Sequence, residues 1–157
     1  MKKIIVLLVF VCISISVNAQ QTNEEKAVQT AIEQFFQGIH KGNMQALEKT
    51  MNKEIKLQTT YRNTKGENIL KTDDLENLMN FAKGIKPTDD YFEKILSYNI
   101  QIDGTLASAW TPYEFYNKGK FSHCGVNSFQ LFNNNGNWEI IYLIDTRRRS
   151  DCKPTGK

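Results

Sequence analysis

Three turn pairs, Asp103-Gly104, Lys118-Gly119 and Asn135-Gly136, divide the second half of this chain into long runs of strand-forming residues. A two-residue hairpin turn needs positive φ, which glycine accepts without steric cost, so each pair predicts antiparallel neighbours joined by a tight turn. The runs cover 92–102, 105–117, 121–132 and 138–148. They form a meander, and few architectures accommodate one of this length behind a helical first half.

That first half is helical by its spacing. Val28, Ile32, Phe35, Phe36 and Ile39 recur on one face between Asn23 and His40. Thr22 with Glu25 forms a capping box at the start, and Gly42 closes the segment. Asn43 then caps a short helix carrying Met44, Leu47 and Met51. "EIKLQTTYR" (54–62) alternates and reads as a strand, "NTKGEN" as a turn, and Ile69 marks a short return strand. Asp73 with Glu76 predicts another capping box, followed by Leu75, Leu78, Met79, Ala82 and Ile85 on one helical face ending before Pro87. Helices first and a meander afterwards predict an α+β fold, with N-terminal helices packed in a curved antiparallel sheet.

The chain opens MKKIIVLLVFVCISISVNAQ. Lys2 and Lys3 precede an apolar run, and Val17-Asn18-Ala19 supplies a cleavage site, so residues 1–19 read as a signal peptide cut after Ala19. The run is shorter than the roughly 20 apolar residues a spanning helix needs, and the polar stretch QQTNEEK follows at once. Cys12 lies within the apolar core, behind Phe10 and Val11, which is no lipoprotein site. The expected product is exported, periplasmic or secreted, with no membrane segment after cleavage. It has one domain at 20–150 and a flexible tail at 151–157.

The whole chain has 20 basic and 17 acidic residues; subtracting Lys2 and Lys3 leaves 18 against 17. That balance argues against a nucleic-acid partner. Two cysteines remain after cleavage. An oxidising compartment allows a Cys124–Cys152 disulfide; the other arrangement is a buried Cys124 and a free Cys152.

Turns also set registers. With regular strands, Lys118-Gly119 places Tyr116 opposite Phe121, Glu114 opposite His123 and Trp110 opposite Asn127. Asn135-Gly136 places Phe132 opposite Glu139 and His123 opposite Arg148. One face then holds Trp110, Glu114, Tyr116, His123, Tyr142 and Arg148 with Phe129, Leu131, Trp138 and Ile140. The other holds Tyr113, Cys124, Asp145 and Arg147 with Phe115 and Leu143. A β-bulge would move part of either set across. Both faces are substantially apolar and one layer of helices covers only one, so a homodimer through the sheet is expected.

The stretch W-x-P-Y-E-F-Y-x-x-G-K-F-S-H-C-G (Trp110 to Gly125), with "SFQL" (128–131), "GNWEI" (136–140) and "DTRR" (145–148), resembles the lumazine-binding group of the nuclear transport factor 2-like superfamily. SnoaL-like and ketosteroid isomerase-like proteins share that superfamily. The resemblance implies a cone-shaped, cystatin-like α+β fold with a pocket in the cone, and frequent dimers. It implies no single function, since the superfamily spans isomerases, dehydratases and non-catalytic binders.

Within the motif, Glu114 and His123 are the candidate catalytic pair, because a carboxylate beside an imidazole orients the ring and raises its basicity. Trp110, Tyr116 and Tyr142 could hold a flat organic ligand, and Arg148 an anionic group on it. The ordinary account is a cross-strand ion pair among core aromatics. Asp145 and Arg147, on the other face, could form a functional pair; the ordinary account is a structural pair or a dimer contact. Arg147-Arg148-Arg149 reads as a solvated strand end, and His40 as a positive side chain suited to a helix C-terminus. No spacing of His and Cys suggests a metal, no glycine-rich phosphate loop follows a strand, and no cofactor is expected. Three functions stay open: a small-ligand pocket, a proton-transfer enzyme of isomerase or dehydratase type, and a dimeric interaction module.

Overall fold

The first helix, α1 (Asn23–His40), forms where its cap and stripe place it. The Thr22 hydroxyl accepts from the Glu25 N–H (3.1 Å), and the Glu25 carboxylate accepts from the Thr22 N–H (2.7 Å). Val28, Ala31, Ile32, Phe35 and Phe36 are buried on one side. In the computed structural model, which describes residues 21–156, three helices pack against a curved, open seven-stranded sheet. The leader at 1–19 and its cleavage site lie outside the described residues.

Helix α2 (Met44–Thr50) is capped by Asn43 and buries Leu47. Helix α3 (Leu75–Gly84) is capped by Asp74 rather than Asp73: Asp74 Oδ1 accepts from the Asn77 N–H at 2.7 Å. Asp73 instead ends a strand, and its carboxylate accepts from Asn77 Nδ2. Only Ala82 of α3 is buried, so this helix covers the sheet more lightly than α1.

The strands are β1 (Met51–Arg62), β2 (Asn68–Asp73), β3 (Phe92–Ile95), β4 (Asn99–Asp103), β5 (Leu106–Asn117), β6 (Lys120–Asn134) and β7 (Asn137–Arg147). Their order is β2-β1-β7-β6-β5, with β3 and β4 both paired to the far side of β5. Every pair is antiparallel except β1 with β7, which is parallel. The run expected as one strand at 92–102 is two. The break lies opposite Pro112, which has no amide hydrogen to donate, although its carbonyl still accepts from the Leu96 N–H (2.9 Å).

Two bulges decide which side chains face inward. At the β5–β6 hairpin, Lys118 and Gly119 both have positive φ (51° and 71°), and Tyr116 pairs with Phe121. The next pair is Phe115 with His123, which leaves Ser122 as the extra residue. Glu114 therefore faces Cys124, not His123, and Trp110 faces Ser128, not Asn127. On β7, Phe132 pairs with Glu139 but Gln130 pairs with Tyr142, leaving Ile141 as the extra residue. Cys124, not His123, is bridged to Arg148. The single face expected from regular strands is thus split. His123 turns inward with Phe129, Leu131, Trp138 and Ile140, while Trp110, Glu114, Tyr116, Tyr142 and Arg148 turn outward.

The core fills one end of the cone: Ala107, Ala109, Phe129, Leu131, Trp138 and Ile140 pack against α1 and α2. At the other end the chain covers part of its own outer face. Cys124 and Cys152 are joined by a disulfide across 28 residues of sequence. The Thr155 N–H donates to Glu114 Oε1 (2.8 Å), and Lys94 Nζ donates to the Thr155 hydroxyl (3.0 Å) and to the Gly156 carbonyl. The segment expected as a flexible tail is therefore tied to β3, β5 and β6.

Candidate functional site

The inward residues near Tyr113, His123 and Asp145 meet α1 and α3 around a cavity of about 460 Å3. Its walls are apolar: Phe35, Phe36 and Ile39 from α1, Leu78 and Phe81 from α3, Leu57 and Leu143 from the sheet. One wall is an aromatic ladder. Phe81 lies 5.7 Å from Tyr91, Tyr91 stacks on Phe115 at 6.0 Å, and Phe115 lies 4.9 Å from the His123 ring. Tyr113 meets His123 edge-on at 5.8 Å.

The ladder leads down to a polar floor. Asp145 is buried and accepts from the Thr59 hydroxyl (2.6 Å), Arg147 Nε (2.8 Å) and the Tyr113 hydroxyl (3.2 Å). Tyr113 shares its proton with the Thr146 carbonyl at 2.9 Å, and burial pushes its phenol pKa upward. Burial opposes the charge of Arg147, but neighbouring Asp145 outweighs it and raises the guanidinium pKa. The Arg147 side chain is 57% exposed and stands at the rim of this floor.

Gly125 makes the arrangement possible. It pairs with Tyr113, and a Cβ there would sit 1.8 Å from the Thr146 carbonyl oxygen and 2.8 Å from Tyr113 Cε1. Only a residue without a side chain lets the Tyr113 ring cross β6 towards Asp145.

Glu93 enters from β3, paired with Phe115 and so pointing inward. Asn127, itself buried, donates from Nδ2 to Glu93 Oε1 at 2.7 Å. The other oxygen, Oε2, has no hydrogen-bond partner among the described residues, and Glu93 lines the cavity. Burial pushes the Glu93 carboxyl up to about 8, against the opposing pull of the Asn127 donor. The Glu93 N–H donates to His40 Nε2 at 2.9 Å, which assigns the His40 proton to Nδ1. Burial holds His40 down at about 4, so it is a neutral acceptor against Phe36 rather than the positive helix end expected from sequence. His123 is likewise held at about 4, by burial and then by the charge of Arg147.

Of the six candidate site residues, only His123 lines the cavity. Glu114 and Tyr116 come together on the outer face, where the Tyr116 hydroxyl donates to Glu114 Oε2 at 2.7 Å. Burial pushes the Glu114 carboxyl up, but donors from Tyr116 and Thr155 and nearby Lys94 hold it below its ordinary value. Trp110 is 53% exposed on the same outer face. Tyr142 donates to Gln58 Oε1, and Arg148 reaches the Asp151 carbonyl at 3.5 Å. The Glu114–His123 dyad is therefore not assembled: the Ser122 bulge puts its members on opposite sides of the sheet.

The floor residues Tyr113, Asp145 and Arg147 belong to the second face that the turns predict from the sequence. Nothing in the local sequence around Glu93 or Asn127 marks either as a site residue. Their signal is a polar residue on an inward strand position, visible only once β3 is registered against β5. Among the described residues, no group of three or more His, Cys, Asp or Glu side chains is placed to hold a metal ion.

No family model matches the chain, and no curated protein matches it. Solved structures do. An NTF2-like protein of unknown function from Shewanella baltica is 15% identical, with a TM-score of 0.59 over 83% of this chain and 100% of that one. A protein of unknown function from Mycobacterium tuberculosis is 14% identical, with a TM-score of 0.64 over 82% and 73%. A protein with a cystatin-like fold from Nostoc punctiforme, also of unknown function, is 14% identical, with a TM-score of 0.61 over 83% and 96%. The chain has this NTF2-like, cystatin-like fold.

Proposed function

We propose that this is an exported pocket protein that binds a small organic molecule inside the cone. The observation that carries the reading is the cavity itself: an aromatic wall descending to a half-buried carboxyl with one oxygen open. A ligand would lay its apolar body along Tyr91 and Phe115 and direct a polar group to Glu93. Export is supported by the leader at 1–19 and by the Cys124–Cys152 disulfide, which an oxidising compartment maintains. Kinship with the lumazine-binding group is proposed on the motif from Trp110 to Arg148 alone; lumazine is not carried over as the ligand.

Native mass spectrometry of the purified chain tests the pocket reading. A bound small molecule, lost when Phe115→Trp fills the cavity, is the expected result. Repeated absence of any bound molecule, together with no binding of apolar probes, would count against it.

A second reading, proton-transfer catalysis of isomerase or dehydratase type, is favoured by one observation. The Glu93 carboxyl is poised near neutral pH with an oxygen on the cavity, which suits a general acid or base. Glu93 then takes the role expected of the His123–Glu114 pair. Turnover of an identified substrate surviving Glu93→Gln undiminished would end that reading.

The homodimer through the sheet is proposed on the outer face, where Leu106, Trp110 and Phe132 are exposed. Sedimentation at micromolar concentration tests it, a clean monomer being the adverse result.

A further inference from the structure

We infer that the cavity takes an organic cation: an ammonium group on an apolar or aromatic body, its nitrogen seated against the open oxygen of Glu93. The inference rests on the pocket reading above and narrows it to a ligand class.

The charges facing the cavity are unevenly compensated. Asp145 and Arg147 neutralise one another at 2.8 Å. Asp73, on the wall beside α3, has Lys71 at 2.9 Å. His40 from α1 and His123 from β6 are neutral. Tyr113 from β5 is an uncharged phenol committed to Asp145 and Thr146. That leaves Glu93 as the one cavity carboxyl with no cation in contact among the described residues; its neighbour Asp145 disfavours its charge, against a smaller opposing pull from Arg147. Yet the donor it does have, Asn127 at 2.7 Å, is aimed at a carboxylate oxygen. The site is shaped for an anion and lacks a countercharge in contact, which an ammonium would supply.

The wall agrees. A cation is attracted to the faces of aromatic rings, and the ladder of Phe81, Tyr91 and Phe115 lines the approach to Glu93. An anionic ligand has a single anchor in Arg147. That group is already paired with Asp145 and stands exposed at the rim, and the anion would enter among three carboxyl groups.

The test compares three small probes with one body and different heads: phenethylamine, 2-phenylethanol and phenylacetate. Isothermal titration at pH 7 in buffers of different ionisation enthalpy also counts protons. The amine is expected to bind at least about tenfold tighter than the alcohol, and the carboxylate weakest of the three. Because the cation favours ionised Glu93, amine binding should release close to one proton, about 0.9 for a group titrating near 8. Glu93→Gln should erase both the amine-over-alcohol preference and the proton release. If the alcohol binds as tightly as the amine, or the preference survives Glu93→Gln, the cation inference is overturned and the pocket reading stands. If none of the three binds and no molecule co-purifies, both fail. The proton count is made on the unaltered chain, so it decides the matter even if the variant does not fold.

Discussion

Glu93 and Glu114 lie on neighbouring strands one residue out of step, with Glu93 opposite Phe115 and Lys94 opposite Glu114. That single step puts one carboxyl inside the cone and the other outside. Glu114 is covered by the returning tail and receives the Tyr116 hydroxyl and the Thr155 N–H, with Lys94 nearby, so its pKa falls despite burial. Glu93 receives one amide donor and only a smaller pull from Arg147, so burial raises its pKa to about 8. Burial raises both; the number of donors aimed at the charged form decides the sign. The satisfied carboxylate anchors structure, and the unsatisfied one is available to a ligand.

The contrast is tested most severely by removing the disulfide. Cys124→Ser with Cys152→Ser should cost about 3 kcal/mol in denaturant unfolding, from restored freedom of the unfolded loop. With the tail released, Glu114 should titrate closer to its ordinary value while Glu93 stays put, as read by NMR titration of the carboxyl carbons. A matching shift at Glu93 would show that the two regions are coupled.

Gly125→Ala strikes the inner region alone. Its Cβ collides with the Thr146 carbonyl and the Tyr113 ring, so a loss of about 1 to 3 kcal/mol is expected. The Tyr113 resonances should move most, with the Thr155 contacts kept.

Stability against pH should peak near 6.5. Glu93 is raised in the folded chain, so its stabilisation is complete below its unfolded value of 4.5 and is lost as pH rises towards 8. His40 and His123 are lowered, so their protonation favours the unfolded chain as pH falls from 6.5 towards 4. Between 4.5 and 6.5 two histidines outweigh one glutamate and stability climbs. Above 6.5 it declines, by at most about 1.4 kcal/mol per pH unit for one proton. Thermal unfolding of Glu93→Gln should lack that alkaline decline; a decline of equal slope would assign it to another group.

The smallest effect is expected for Tyr116→Phe. It removes one donor from Glu114, which should then titrate higher by NMR with Glu93 unmoved.

Much of the fold was legible. The capping box at Thr22, the helical stripe to Ile39 and the turns at Lys118-Gly119 and Asn135-Gly136 are local signals that the structure uses as read, while the turn read at Asp103-Gly104 falls one residue later, at Gly104-Thr105 between paired Asp103 and Leu106. The candidate site was legible only in part: Tyr113, Phe115, Leu143, Asp145 and Arg147 share the face read from the sequence, but two single-residue bulges at Ser122 and Ile141 reverse the alternation that a regular strand would carry and bring His123 in beside them. His123 reached the cavity by that reversal and lost its expected partner Glu114 through it. Arg147 rather than Arg148 stands at the floor because alternation sends adjacent arginines to opposite faces.

Helix starts, turn positions and the order of helices before strands follow from residues within a few places of one another, so composition and spacing suffice to read them. Which face lines the cone depends on pairings between residues tens of positions apart, and one extra residue inverts the answer. Only the tertiary structure brings β3 beside β5 and Asn127 to Glu93, and so separates two otherwise similar glutamates into a structural anchor and a candidate binding group.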